Sequence, residues 1–279
     1  GLLFSFQIEN IITVEFLIGF SLAVKKRRKN MDRPCVTLYV SASIDGRISL
    51  GPNRTMMDMD ERDEVLGTEE EWKRFSRRIE EEHEPDVWME GSNMLVKEGQ
   101  EVRDLEPFEG DPEDLYDDYL PEDIVDRPGR EGWLAVVDGR GRLRSGYKGE
   151  ENKPMLHLVS NGVPPEYLAF LQGKKIPYLI AGEKRVDLEK VLEKMRSKLD
   201  VENIITGSGG KLSGALLREG LLDEINIRFN PVIIGGFETP VLFASPDLEE
   251  DEWPNELEFI SAEVEPDGHI LARYDVKYE

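Results

Sequence analysis

The segment Thr206-Gly207-Ser208-Gly209-Gly210-Lys211-Leu212 has the residue types that hold a pyrophosphate. Glycines let the backbone approach a phosphate closely, and a helix starting there offers unpaired N–H groups and a partial positive charge. Lys211 adds a cation and Ser208 a hydroxyl. The same turn also serves as a ligand-free strand-to-helix connection, and it is neither a GxGxxG fingerprint nor a P-loop. Its company points further. Ser43-Ile44-Asp45-Gly46, Gly91-Ser92-Asn93 and Asp138-Gly139-Arg140 also sit at the ends of predicted strands, where open α/β sheets bind ligands. Four such turns converging on one cleft make a binding site. Asp45 is the first candidate to orient or protonate a heterocycle; alternatively it caps its own turn. Glu90 and Glu98 are further acids beside these turns.

The elements that must carry these turns alternate along the chain. Strands are predicted at 36–40, 86–90, 133–137, 155–159, 176–181, 201–206, 222–229 and 241–243, with two more in the tail. Helices are predicted at 69–82, 165–171, 187–199 and 212–219, and a short one after Gly91. Thr68 and Glu71 form a capping box for the first helix, and Trp72, Phe75 and Ile79 make its apolar stripe. Such alternation implies an α/β sheet covered on both faces, with a terminal antiparallel hairpin at one edge. Residues 104–131 are rich in Asp, Glu, Pro and Gly and read as a long acidic insertion, exposed or partly disordered.

Charge narrows the partners. The 279 residues carry a formal net charge of −23, which argues against nucleic acid and against an anionic membrane surface. A phosphorylated ligand therefore needs a few local cations working against the global field. One cysteine, Cys35, excludes an intramolecular disulfide or a cysteine-based metal site, and three histidines far apart give no metal signature. No metal is expected.

Residues 1–30 differ from the rest. An apolar-rich stretch is interrupted by Glu9 and Glu15 and followed by Lys25-Lys26-Arg27-Arg28-Lys29. It suits neither a signal peptide nor a comfortable membrane span. The expectation is an extension outside the core, with a single domain over 31–279; an amphipathic surface helix or membrane tether is the alternative.

Taken together, the motifs resemble the reductase domain of the bifunctional riboflavin-biosynthesis deaminase–reductase, a family with a dihydrofolate-reductase-like fold. Ser43-Ile44-Asp45-Gly46-Arg47-Ile48 is similar to its S-L-D-G-[KR]-I turn, and Gly209-Gly210-Lys211-Leu212-Ser213-Gly214-Ala215-Leu216-Leu217 to its G-G-T-L-N-G-x-L-L signature. Leu221-Leu222-Asp223-Glu224-Ile225 resembles L-V-D-E-L, and Pro231-Val232-Ile233-Ile234-Gly235-Gly236 resembles P-V-L-L-G-G.

The resemblance implies a three-layer α/β fold and a cytoplasmic, homodimeric enzyme. It implies hydride transfer from NADPH to a ribosylated pyrimidine 5′-phosphate. By that resemblance Gly91, Ser92, Asn93, Met94, Glu98, Asp138, Gly139, Arg140, Ser208, Gly209, Gly210, Lys211 and Leu212 meet the cofactor, and Ser43, Asp45 and Gly207 line the substrate side. Gly207 stands where the family has a substrate-facing Glu, Met94 where it has Thr, and Gly139 where it has a Ser that helps hold the 2′-phosphate. Arg140 or Arg142 would then take the 2′-phosphate, unless this is only a solvated turn. No deaminase signature is present. The other expectations are a reductase of another heterocycle, such as a pterin or flavin-like compound, and a non-catalytic dimeric ligand-binding protein of the same fold.

Overall fold

Nine strands form one sheet in the computed structural model, which describes residues 32–54, 61–265 and 267–278. The expectations for residues 1–30 fall outside the described residues. In chain order the strands are β1 (Cys35–Ser43), β2 (Val87–Gly91), β3 (Trp133–Val137), β4 (Met155–Val159), β5 (Tyr178–Ile180), β6 (Asn203–Thr206), β7 (Glu224–Asn230), β8 (Glu256–Val264) and β9 (Ile270–Lys277). Their spatial order is β5-β4-β3-β2-β6-β1-β7-β9-β8. Every pairing from β5 to β7 is parallel, and β9 and β8 add an antiparallel hairpin at the edge. The mostly parallel α/β sheet with antiparallel edge strands expected from the sequence is therefore present.

The helices are α1 (Glu69–His83), the one-turn α2 (Glu122–Val125), α3 (Pro165–Gly173), α4 (Leu188–Leu199) and α5 (Gly210–Arg218). They make the two outer layers because strand side chains alternate between faces. Val36, Leu38, Val87, Met89, Ala135, Leu156 and Ile204 face α4 and α5. Tyr39, Trp88 and Ile205 point the other way and pack on Trp72, Phe75 and Ile79 of α1, as that stripe predicts. The capping box forms: Thr68 Oγ1 accepts from the Glu71 N–H, and the Glu71 carboxylate accepts from the Thr68 N–H at 2.7 Å. Among the described residues, no helix is long and apolar enough to cross a membrane.

Two expectations need correction. Residues 241–243 form no strand; Val241 makes only an isolated bridge to Arg47. The reason is that this segment packs across α5, with the Ala244 N–H donating to the Gly210 carbonyl at 2.9 Å. The acidic insertion is not a bare exposed loop either. Tyr119 exchanges backbone hydrogen bonds with Tyr178 of β5, Leu115 is buried beside α3, and Asp118 accepts from the Ile180 N–H, Lys194 and Lys198. The insertion thus covers the β5 edge, which would otherwise present unpaired backbone groups. Its few apolar residues do this, and composition averages them away.

Candidate functional site at the carboxyl ends of four adjacent strands

Because β3, β2, β6 and β1 are parallel neighbours, the four turns that follow them line up side by side along one sheet edge. These are the turns singled out from sequence. Each is held by its own local chemistry.

After β1, Gly46 has φ +73°, a conformation that favours glycine. It lets the chain fold back so that the Ser43 N–H reaches the Arg47 carbonyl at 2.9 Å. Asp45 Oδ1 accepts from the Ser43 hydroxyl at 2.6 Å and the Ile234 N–H at 3.0 Å, and Oδ2 accepts from the Gly235 N–H at 2.7 Å. The Ser43 hydroxyl first, then these backbone donors, hold the Asp45 carboxyl at about 2. Asp45 is therefore an ionised acceptor tying the first turn to the segment after β7, a state that suits orienting a ligand and not protonating one.

After β6, the sequence-predicted glycine turn leads directly into α5. Gly209 is the N-cap residue, no side chain caps the helix, and a Cβ placed on Gly209 would meet nothing within 4 Å. This leaves open space at a helix start, as anion binding requires. Gly210 has the opposite role. A Cβ there would lie 2.0 Å from the Val241 carbonyl oxygen, so this glycine serves close packing. Ser208 is buried and its hydroxyl is turned inward onto Ser213 at 3.2 Å; in this arrangement it offers no hydroxyl to a ligand.

After β3, Asp138 is also turned inward. Its Oδ2 accepts from the Leu143 N–H at 2.7 Å and the Tyr167 hydroxyl at 2.9 Å, and Tyr167 in turn meets His157 Nδ1 at 2.9 Å. Burial pushes His157 down to about 4, so this is a neutral imidazole supporting the turn. Gly139 packs near Val186, and a Cβ there would lie 3.2 Å from both the Val186 side chain and its backbone nitrogen, a tight fit.

What this turn presents outward is charge. Arg140 pairs with Glu98 at 2.9 Å, and Lys211 of α5 pairs with the same carboxylate at 3.1 Å. Arg142 donates to Asn93 Oδ1, to the Ser92 hydroxyl at 3.3 Å and to the Lys97 carbonyl at 3.2 Å. Those hydrogen bonds hold the short 3-10 turn Ser92–Met94 that follows β2. Burial first, then the neighbouring Arg140, lower the Arg142 pKa. Hydrogen bonds from Arg140 and Lys211 hold Glu98 at about 2. Three cations thus gather beside the start of α5, in a protein whose overall charge is −23. Leu212 lies against Gly91, with 3.7 Å from its side chain to a Cβ placed there.

Glu90 is the penultimate residue of β2 and its one charged side chain. Its Oε1 accepts from the Gly207 N–H at 3.0 Å, and its Oε2 is buried with no hydrogen-bond partner among the described residues. In the sequence Glu90 ranks behind Asp45 as a candidate, and its signal is the lone acid in Val87-Trp88-Met89-Glu90. Away from this edge, Glu71, Asp267 and His269 bring ligand atoms within 4.8 Å of one another, with Glu71 already engaged by Arg228 at 2.8 Å.

The family profile of the RibD C-terminal domain matches residues 34–271. This chain belongs to the RibD C-terminal domain family. A similar relative is the 2,5-diamino-6-ribosylamino-4(3H)-pyrimidinone 5′-phosphate reductase of Methanothermobacter thermautotrophicus. It is 27% identical over 221 residues, covering 78% of this chain and 87% of the relative. Among solved structures, a pyrimidine reductase-like protein from Corynebacterium diphtheriae superposes with a TM-score of 0.60 at 13% identity, covering 88% of this chain and 93% of that one. RibD from Acinetobacter baumannii gives 0.55 at 16% identity, with 89% of this chain covering 59% of the longer protein. These two likenesses are of fold.

Proposed function

We propose that this chain is an NADPH-dependent oxidoreductase that passes hydride to a ribosylamino-pyrimidine 5′-phosphate, the substrate class named for its relatives. One observation carries the cofactor reading: Arg140, Arg142 and Lys211 converge beside an open, uncapped helix start at the strand-end edge. That donor set fits a dinucleotide with an extra phosphate. The α5 start and Lys211 would hold the pyrophosphate, and Arg140 and Arg142 would hold the 2′-phosphate, with Glu98 releasing the cations it now pairs. NADPH bound there supplies the hydride. The protein supplies position and exclusion of water, and Ser43 and Asp45 bound the substrate side.

The absence of a side chain at Gly207 favours a second reading, a reductase of another N-heterocycle. Thermal shift with NADPH, NADH and neither separates the cofactor question from the substrate question. A shift larger with NADPH supports the reading, and no shift with either at saturation overturns it. NADPH oxidation with the pyrimidine substrate then decides between the two heterocycle classes.

The reading includes a cytoplasmic homodimer. Strand β8 lies at the open edge of the sheet with Leu257, Phe259 and Val264 exposed, a surface that suits a second copy.

A further inference from the structure

The pairing of β2 with β6 sets Val87 beside Ile204 and Trp88 beside Ile205. Continuing it two residues brings Glu90 level with Gly207. The contact at this level is unusual in three respects. The Glu90 carboxylate lies in the space a side chain at 207 would occupy, because a Cβ on Gly207 would sit 3.2 Å from Glu90 Oε1. Its Oε1 is fixed by the Gly207 N–H. Its Oε2 is enclosed and partnerless among the described residues, although Glu90 as a residue is only half-buried and stands at the ligand-binding edge.

An enclosed carboxylate oxygen without a donor is unfavourable, so it persists where something else recovers that cost. Tyr39 of β1 is an ionisable neighbour that interacts with Glu90, and it is not a cation. A ligand with N–H groups is the matching chemistry. The substrate named for the relatives carries two ring amino groups.

We propose that Glu90 is a substrate-recognising residue: its Oε2 accepts an amino N–H of the pyrimidine ring, and β2 thereby delivers the carboxylate that position 207 lacks. This rests on the pyrimidine reading above and answers the objection that Gly207 raises to it. The Gly207 N–H acts as the clamp that aims the carboxylate. Specificity follows, since a site built around a buried acceptor rejects ring analogues that lack the donor.

The test is a relocation of the carboxylate, with full-length protein, NADPH and the diamino-ribosylamino-pyrimidinone phosphate. Glu90→Gln keeps volume and an acceptor for Gly207, and should lower kcat/KM for the pyrimidine about 10- to 100-fold while leaving the KM for NADPH unchanged. Gly207→Glu alone should also lose activity, because two carboxylates then compete for one space. Gly207 has an ordinary backbone φ that a side chain tolerates. The double variant Glu90→Ala/Gly207→Glu should recover activity relative to Glu90→Ala. Recovery in the double variant is an outcome that a purely structural role for Glu90 would not produce. If the wild type turns over the pyrimidine and Glu90→Gln matches it, the inference fails and the function stands. A double variant no better than Glu90→Ala likewise overturns the inference. A wild type that binds NADPH but never reduces the pyrimidine overturns the substrate reading and this inference together.

Discussion

Asp45 and Gly235 are joined by a 2.7 Å hydrogen bond from the Gly235 N–H to Asp45 Oδ2, across 190 residues of chain. With the Ile234 N–H and the Ser43 hydroxyl also donating, the carboxyl is held at about 2, below its ordinary 3.8. A carboxyl lowered in the fold contributes stability above its unfolded value and loses it as pH falls through the folded one. Asp45→Asn should therefore narrow the gap to wild type in melting temperature as pH drops from 4 to 2. Melting curves across that range check this. At pH 7 the activity of wild type should show no ionisation attributable to Asp45.

Glu90 has the opposite sign. Burial, against the Gly207 hydrogen bond, pushes it up to about 7 from 4.5. The fold holds this proton more tightly than the unfolded chain does. Its contribution is complete below pH 4.5 and is lost as pH rises through 7. Denaturant titrations of Glu90→Gln against wild type should show the variant gaining relative stability between pH 5 and 8, on the order of 3 kcal/mol.

Gly209 and Gly210 are adjacent and should respond differently to alanine. At Gly210 the new Cβ meets the Val241 carbonyl oxygen at 2.0 Å, so unfolding free energy should fall by about 1–3 kcal/mol or more. At Gly209 nothing lies within 4 Å and φ is −64°, so Gly209→Ala should fold normally and weaken NADPH binding. Chemical denaturation and cofactor titration distinguish the two.

Arg140 should select between cofactors. Arg140→Ala should weaken NADPH by about 10- to 100-fold, the range of a charge-assisted hydrogen bond, and barely change NADH. Equal losses for both would remove the 2′-phosphate assignment.

Asp118 fastens the acidic insertion to the sheet. It accepts from Ile180, Lys194 and Lys198, and its side chain is 5% exposed. Asp118→Ala leaves a backbone N–H and two lysines without that partner and should cost about 1–3 kcal/mol. Limited proteolysis should then cut first within residues 104–131.

Local information was sufficient for much of the fold. The capping box at Thr68, the Trp72-Phe75-Ile79 stripe and the apolar strands each rest on neighbours within a few residues, so their periodicity declares them. The insertion was less legible, because Leu115, Tyr119 and Asp118 act only against β5 and α4, far along the chain. The segment 241–243 has strand-like residues, yet its backbone is taken up by α5 and the Arg47 turn.

For the site, the amino-acid sequence determined which turns matter and that a glycine-rich helix start lies among them, since turn chemistry is local. Only the tertiary structure decided what each side chain does there. Ser208 and Asp138 turn inward because buried partners claim their polar atoms. Arg140, Arg142 and Lys211 become one cationic group because β3 and β6 end on the same edge. Glu90 comes to Gly207 because parallel pairing sets two distant residues at one level, a relation that spacing along the chain does not encode.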